Sequence, residues 1–226
     1  MTQLSVVSRQ SSALLYYITD RSQFSGDETS RRRRLLENIA QAVRCDVDYI
    51  QLREKDLSTH ELETLSREVV AIVQELRTEN RKLKTALLIN SRTDIALAVG
   101  ADGVHLRSDD ISPLEVRKIW TQCGTGALAR VTVGVSCHTR SEVAEAAVQG
   151  ADFAVFGPVF EKQSARPAGL DALRQACREQ IPVLALGGIT VENAESCFQA
   201  GAAGIAGIRL FQESEMEKVV ATLRGL

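Results

Sequence analysis

Short apolar runs rich in β-branched residues recur along the chain, and segments with the apolar spacing of amphipathic helices separate them. Short runs bounded by polar turns are typical of strands, whereas apolar positions three and four residues apart are typical of helices. Strand and helix alternate throughout, and this order predicts a parallel sheet. The predicted strands cover residues 14–19, 47–52, 86–89, 103–106, 131–135, 153–156, 182–186 and 204–208.

Clear helix signals support this order. The segment 59–76 places six apolar residues on one side and charged residues opposite, as expected for a helix packed on a sheet. Ser112 precedes Pro113, and Thr190 is followed by Asn193, so both segments carry residues that favour a helix start. The six apolar positions are Leu62, Leu65, Val69, Val70, Val73 and Leu76.

A weak internal repeat favours a closed sheet. The tetrapeptides that begin at Gly100, Gly150 and Gly201 read Gly-Ala-Asp-Gly, Gly-Ala-Asp-Phe and Gly-Ala-Ala-Gly, each between a predicted helix and strand. They recur at about the length of two strand–helix units, and the glycine can end its helix in the left-handed conformation. We therefore predict an α/β fold, a (β/α)8 TIM barrel with a parallel eight-stranded closed sheet. One domain would cover residues 1–226, with 1–12 as a flexible extension.

The composition and charge of the chain argue against some classes of binding partner. Hydrophobic residues make up 44% of the chain, charged residues 25%, and the formal net charge of −2 argues against nucleic acid and membranes as partners. Four arginines at 31–34 precede apolar residues at helical spacing, and we interpret them as the solvated start of a helix. No apolar stretch is long enough to span a bilayer, so we expect a cytoplasmic protein. Five scattered cysteines predict reduced thiols in or near the core: Cys45, Cys123, Cys137, Cys177 and Cys197.

Polar groups suited to an anion follow the second predicted strand, in the hexapeptide Gln-Leu-Arg-Glu-Lys-Asp at 51–56. Side chains alternate along a strand, so Gln51, Arg53 and Lys55 would share one face. An amide, a guanidinium and an ammonium in a row suit phosphate or pyrophosphate. The alternative is a charged loop that opens the next helix.

Sites on TIM barrels lie at the carboxyl ends of the strands, where more polar residues collect. Asn90 follows the third predicted strand, and Asp109 and Asp110 follow the fourth. A carboxylate there could hold Mg²⁺ against a substrate pyrophosphate, or could cap the helix that starts near Ser112.

The fifth predicted strand ends with a hydroxyl and an imidazole, those of Ser136 and His138. His138 could act as a general acid or base. Capping of the next helix by Thr139 would explain the same polarity without chemistry.

Glycines after the seventh predicted strand, Gly187 and Gly188, precede a short helix start near Arg209 after the eighth. This arrangement is typical of the phosphate cradle of TIM barrels, where backbone N–H groups contact the anion. The alternative is that the glycines only permit tight turns. A loop at 161–168, with Lys162 and Arg166, is long enough to fold over a ligand.

With these strands, helices and motifs in this order, the chain resembles the thiamin phosphate synthase/TenI family from about Leu14 to Phe211. The resemblance implies a TIM barrel that joins a hydroxymethylpyrimidine diphosphate to a thiazole phosphate and releases pyrophosphate with Mg²⁺. The matching motifs are Tyr-Ile-Thr-Asp at 17–20, the hexapeptide at 51–56, Leu-Ile-Asn at 88–90, residues 94–106, Gly-Val-Ser at 134–136, Gly-Pro-Val-Phe at 157–160 and Leu-Gly-Gly-Ile-Thr at 186–190.

The resemblance also implies roles by position. Gln51 and Ser136 would lie at the pyrimidine, and Asp110 would bind the metal. Arg53, Lys55, Ser136 and His138 are the implied catalytic residues. The implied substrate-binding residues are Gln51, Arg53, Lys55, Asn90, Lys162, Ser164, Gly187, Gly188 and Arg209.

Three positions depart from the family pattern. Ser91 stands where an aspartate is expected, Ala165 where a lysine is expected, and Arg209 where a serine is expected. Lys162 or Arg166 could supply the missing charge. Two alternatives to the synthase follow: a TenI-type thiazole tautomerase that uses His138, or a non-catalytic protein that binds thiamin intermediates. The partners would be phosphorylated small molecules, and a homo-oligomer is possible.

Overall fold

Eight parallel strands pair in chain order, and β8 returns to pair with β1, which closes the sheet into a barrel. The structure is a computed structural model that describes residues 13–123, 130–161 and 167–226, so the predicted extension at 1–12 lies outside it. The predicted TIM barrel is confirmed. The strands are Leu14–Ile18 (β1), Tyr49–Leu52 (β2), Ala86–Asn90 (β3), Gly103–Leu106 (β4), Thr132–Cys137 (β5), Phe153–Phe156 (β6), Val183–Ala185 (β7) and Gly204–Gly207 (β8).

Helices follow the strands and cover the outside of the barrel. A 3-10 helix, Arg21–Gln23, follows β1 directly. Among the residues that the structure describes, no helix is long and apolar enough to cross a membrane. The helices are Glu28–Arg44 (α1), Thr59–Glu79 (α2), Thr93–Val99 (α3), Pro113–Gln122 (α4), Arg140–Val148 (α5), Gly169–Ala176 (α6), Val191–Gln199 (α7), Arg209–Gln212 (α8) and Met216–Arg224 (α9).

The predicted helix signals are confirmed. All six apolar residues predicted to line one side of α2 are buried. Ser112 caps α4 by accepting from the N–H of Glu115, and the amide of Asn193 accepts from Thr190 N–H at the start of α7. The four arginines at 31–34 lie near the start of α1. Strand bounds differ slightly, since β2 begins at Tyr49 and β5 continues to Cys137.

Aromatic rings fill the amino-terminal part of the barrel interior. Phe153 stacks on Tyr49 with ring centroids 4.6 Å apart and meets Tyr16 edge-on at 5.3 Å. Gly134 makes room for this cluster, because a Cβ there would lie 2.5 Å from the Phe153 ring and 2.9 Å from Nδ1 of His105. Because these rings fill the interior at the amino-terminal end, a binding site is expected at the carboxyl ends of the strands.

Aspartate–arginine pairs join neighbouring strands at the amino-terminal end. Each aspartate directly precedes an even-numbered strand, accepts a 2.7 Å bond from a backbone N–H of the strand before it, and pairs with an arginine of a helix. The Gly-Ala-Asp repeat supplies two of the three, and Ala203 occupies the corresponding place before β8. The pairs are Asp48 with Arg224, Asp102 with Arg77, and Asp152 with Arg117.

The glycines of the repeat are confirmed as left-handed, since Gly100, Gly150 and Gly201 all have positive φ. The cysteine prediction needs one correction. All five thiols are free, but Cys123 is exposed at the end of α4 rather than placed in or near the core. Burial raises the pKa of Cys137 to about 12, so this thiol at the end of β5 stays protonated and is a poor nucleophile.

We expect Asp102→Ala to lower the free energy of unfolding by about 1–3 kcal/mol, because the Leu87 N–H and Arg77 both lose their carboxylate partner. Urea denaturation measures this loss. Asp171→Ala is the matched control, since Asp171 pairs with Arg174 on an exposed surface and should change stability by less than about 0.5 kcal/mol. Equal effects of the two substitutions would contradict the proposed role of the pair.

Candidate functional site

Four neighbouring strands bring polar side chains together inside the carboxyl end of the barrel. Gln51 of β2 is buried, and its Nε2 donates to Oδ1 of Asn90 in β3 over 2.7 Å. His105 of β4 and Ser136 of β5 are joined by a 2.8 Å bond between Nε2 and Oγ. The predicted site residues Gln51 and Asn90 thus lie on adjacent strands, and Ser136 lies on β5, separated from them by β4 and its His105.

His105 is a site residue to which the sequence reasoning assigned no role. Its Nδ1 is 3.0 Å from the hydroxyl of Tyr16, so the imidazole joins a buried tyrosine to Ser136. Burial lowers the pKa of His105 to about 3, with a smaller contribution from the charge of Arg53, so the ring is neutral at pH 7. In the strand Gly-Val-His-Leu at 103–106, His105 alternates with the apolar Val104 and Leu106, so it lies on the opposite face from them, and that signal was available in the sequence.

The hexapeptide at 51–56 is clamped to the end of β1 by its acidic members. Glu54 is buried and accepts from Thr19 Oγ1 at 2.6 Å and from Nη1 of Arg21 at 3.1 Å. The same Thr19 oxygen accepts from the backbone N–H of Arg53 at 2.9 Å. Asp56 receives two bonds from the Arg21 guanidinium, at 2.7 and 3.0 Å. The two carboxylates are therefore structural.

The basic members of the hexapeptide are placed differently from each other. Arg53 is half-buried, and burial lowers its pKa from the ordinary value, although an arginine remains charged at pH 7. Lys55 is exposed in a turn. The predicted alternation of Gln51, Arg53 and Lys55 on one face needs a strand through Lys55, whereas β2 ends at Leu52, so strand alternation extends to neither Arg53 nor Lys55.

Asp110, the predicted metal ligand, holds a turn after β4. Its Oδ2 accepts from Ser91 Oγ at 2.7 Å and from the N–H of Arg107 at 2.8 Å. Asp109 pairs with the Arg107 guanidinium. Ser112, not either aspartate, caps α4. No group of three histidine, cysteine, aspartate or glutamate side chains that could hold a metal ion occurs in the described ranges.

His138 follows β5 and is exposed at the rim. Its Nδ1 lies 2.7 Å from the carbonyl oxygen of Gly157. A carbonyl oxygen only accepts, so Nδ1 carries the hydrogen and a neutral ring presents Nε2 as an acceptor. Thr139 caps α5 by accepting from Glu142 N–H, which agrees with the capping interpretation of that residue.

The glycine turn after β7 packs tightly against the chain that follows β6. Gly187 and Gly188 have φ of 99° and 65°, values that favour glycine. A Cβ on Gly187 would lie 2.6 Å from Pro158, and one on Gly188 would lie 2.8 Å from the carbonyl oxygen of Glu161. The turn conformation and the close packing both require glycine, which supports the tight-turn interpretation of this segment.

The remaining predicted residues divide into two groups. Arg209 is the first residue of α8, separated from β8 by Ile208, and its side chain is exposed. Lys162, Ser164, Ala165 and Arg166 lie outside the described residues. The described site is thus a TIM-barrel mouth with amide, hydroxyl, imidazole and cationic groups, a set suited to phosphorylated small molecules.

Comparison with known proteins agrees with this class. The family described as "Thiamine monophosphate synthase" matches residues 15–211. A "Putative thiamine-phosphate synthase 2" from Aquifex aeolicus is 39% identical over 203 residues, which cover 88% of this chain and 97% of that protein. A "Thiamine-phosphate synthase" from Syntrophomonas wolfei is 40% identical over 216 residues, which cover 93% of this chain and 94% of that protein.

A solved structure shows the same likeness. The thiamine phosphate pyrophosphorylase from Pyrococcus furiosus superposes with a TM-score of 0.73 at 30% identity, covering 94% of each chain. Because the family match extends over most of the barrel and these relatives are similar over nearly their whole length, the chain belongs to the thiamine monophosphate synthase family.

The low pKa of His105 predicts acid sensitivity. Between pH 6.5 and about 3 the unfolded chain binds a proton at this ring that the folded chain does not, so stability falls as pH falls through this window. One such proton contributes a slope of about 1.4 kcal/mol per pH unit. Urea denaturation from pH 7.5 to 4.5 should show a shallower loss for His105→Asn. The exposed His60→Asn control should keep the wild-type slope, and identical slopes for all three proteins would contradict the assignment.

Proposed function

We propose that this protein is a thiamine-phosphate synthase, which joins hydroxymethylpyrimidine diphosphate to a thiazole phosphate and releases pyrophosphate. The observation that carries the proposal is the retained hexapeptide. Its two carboxylates accept hydrogen bonds from Thr19 and Arg21, while Arg53 is half-buried near the polar strand ends. Family membership supports the same activity.

The chemistry requires stabilisation of separating charge. The carbon–oxygen bond to the diphosphate breaks, a pyrimidine carbocation forms, and the thiazole nitrogen captures it. Arg53, Lys55 and Asn90 would bind the leaving diphosphate, where cationic and N–H donors stabilise the growing negative charge. Gln51 and Ser136 would orient the pyrimidine so that its carbon lies close to the attacking nitrogen.

The second substrate would bind across the barrel mouth. Backbone N–H groups near Gly188 and at the start of α8 would receive the thiazole phosphate, and exposed Arg209 could add a guanidinium contact. Lys162 and Ser164, which follow β6 in the chain, are proposed to contact substrate, with Lys162 or Arg166 supplying charge to the pyrophosphate. These assignments follow from position in the chain and from the family resemblance.

The donors around Asp110 fit Mg²⁺ in a restricted way. Mg²⁺ often takes one or two carboxylates and completes its shell with phosphate oxygens and water. Asp110 supplies one carboxylate, and Ser91 donates to one of its oxygens where a second carboxylate is expected. A bound Mg²⁺ would neutralise charge on the diphosphate. We propose Asp110 as its protein ligand, with the substrate supplying further oxygens.

A second candidate, a thiazole tautomerase, is favoured by one observation. The bond from Nδ1 of His138 to Gly157 fixes the tautomer and presents Nε2 as a proton acceptor at the rim. A proton shift within a thiazole carboxylate phosphate needs such a base and does not need a diphosphate site. The two activities therefore depend on different residues of the same mouth.

Turnover of the purified protein with both substrates, with and without Mg²⁺, tests the proposal. A synthase forms thiamin phosphate and requires the metal. A tautomerase converts the thiazole tautomer without the pyrimidine diphosphate and loses this activity in His138→Asn. A protein that binds intermediates without turning over either substrate would contradict both proposals, and titration calorimetry with each intermediate would identify it.

Arg53→Met should reduce kcat/KM for the pyrimidine diphosphate by about 10²–10³-fold, because it removes a charged side chain that donates hydrogen bonds to the leaving diphosphate. Binding of the thiazole phosphate, measured by calorimetry, should change little. Arg67→Met, an arginine-to-methionine change on the exposed side of α2, is the control and should leave both values unaltered. Retained activity in Arg53→Met would remove Arg53 from the diphosphate site.

Ser91→Asp should lower the Mg²⁺ concentration for half-maximal activity by about tenfold, because it adds a carboxylate beside Asp110. Aspartate tolerates the positive φ of 56° at this residue better than most side chains do. Ser91→Ala is the control, since it removes the hydroxyl without adding charge. An unchanged metal dependence in Ser91→Asp would place the metal away from Asp110.

A further inference from the structure

A chain of hydrogen bonds runs from the barrel interior to the mouth through three strands. It begins at the fully buried Tyr16 hydroxyl in β1, continues 3.0 Å to Nδ1 of His105 in β4, and then 2.8 Å from Nε2 to Oγ of Ser136 in β5. Ser136 is half-buried and forms the outer end of the chain. None of these bonds involves a carboxylate.

The direction of the chain follows from the Tyr16 hydroxyl. His105 Nδ1 is the hydrogen-bond partner of this hydroxyl among the residues that the structure describes. If Nδ1 carried the ring hydrogen, the buried tyrosine hydrogen would lack an acceptor, which costs free energy. The hydroxyl of Tyr16 therefore donates to Nδ1, and the hydrogen of the neutral ring lies on Nε2.

The packing holds the ring in this orientation. The Phe153 ring contacts Tyr16 edge-on and His105 at a tilted angle. Gly134 packs so closely against His105 that a Cβ at position 134 would lie 2.9 Å from Nδ1. Arg53 is the charged group that acts on the ring, and its positive charge favours the neutral form, as burial does. Neutrality and a fixed plane together leave Nε2 as the donor to Ser136.

We propose that Tyr16 and His105 are positioning residues that turn the Ser136 hydroxyl into a hydrogen-bond donor toward an acceptor atom of the pyrimidine diphosphate. The Ser136 Oγ accepts a hydrogen bond from Nε2–H of His105. The hydroxyl hydrogen of Ser136 then remains to donate to a ligand. The substrate half of this inference rests on the proposed function, whereas the direction of the chain does not.

The tautomer of His105 is measured directly by long-range ¹H–¹⁵N NMR spectra. The chain has three histidines, and His105→Asn identifies the signal of His105 by its loss. We expect the Nε2–H tautomer in the wild-type protein at neutral pH and a mixture of tautomers in Tyr16→Phe, where Nδ1 has lost its donor. An Nδ1–H tautomer or a protonated ring in the wild-type protein would overturn the proposal.

Kinetics tests the consequence for Ser136. Tyr16→Phe should lower kcat about tenfold, the equivalent of one hydrogen bond, with less effect on KM. Tyr17→Phe is the matched control and should stay within about twofold of wild type, because Tyr17 is the next residue on the opposite face of β1 and packs against Phe211. Thermal unfolding verifies that both variants fold.

A double-mutant cycle separates positioning from structural damage. In a Ser136→Ala background the effect of Tyr16→Phe on kcat should disappear, since its target hydroxyl is gone. Independent, multiplicative effects of the two substitutions would overturn the proposal. If the wild-type protein has no synthase activity, the proposed function fails while the NMR result still decides the direction of the chain.

Discussion

The pairing of β8 with β1 is the constraint on which the rest of the structure depends. Closure satisfies the backbone groups of both edge strands and brings eight carboxyl ends to one rim. Residues far apart in the chain, such as Tyr16 and His105, which are 89 positions apart, become hydrogen-bonded neighbours because the sheet is closed. The same closure puts alternate side chains inside, where aromatic rings fill one end and polar groups the other.

The two ends of the barrel use charge in different ways. At the amino-terminal end, aspartates before β2, β4 and β6 pair with helix arginines and accept strand N–H groups, so their charges are neutralised and the strands are held in register. At the carboxyl end, Glu54 and Asp56 neutralise Arg21, while Arg53 remains half-buried beside the polar strand ends. One short motif thus contains both the structural acids and the basic residues proposed to bind substrate.

Much of the site was predictable, because strand ends on a barrel are where ligand-binding residues collect. Gln51, Asn90 and Ser136 were recognised as polar residues at the ends of apolar runs; the structure bonds Gln51 to Asn90 and bonds Ser136 to His105 of the strand between β3 and β5. His105 was missed because a histidine inside an apolar strand is usually interpreted as a core residue. The roles of Glu54 and Ser91 were not predicted either, since both depend on partners elsewhere in the chain: Thr19 and Arg21 for Glu54, and Asp110 for Ser91.

Apolar periodicity, helix-start residues and the Gly-Ala-Asp repeat were sufficient to determine the (β/α)8 barrel and the rim on which a site must lie, because these signals are local and repeat along the chain. Only the tertiary structure decided which charged residues of the hexapeptide are buried and which are exposed. Strand alternation ends at Leu52, and beyond it each side chain is placed by the partner it meets. For Glu54 and Asp56 that partner is Arg21, more than thirty residues away in the chain.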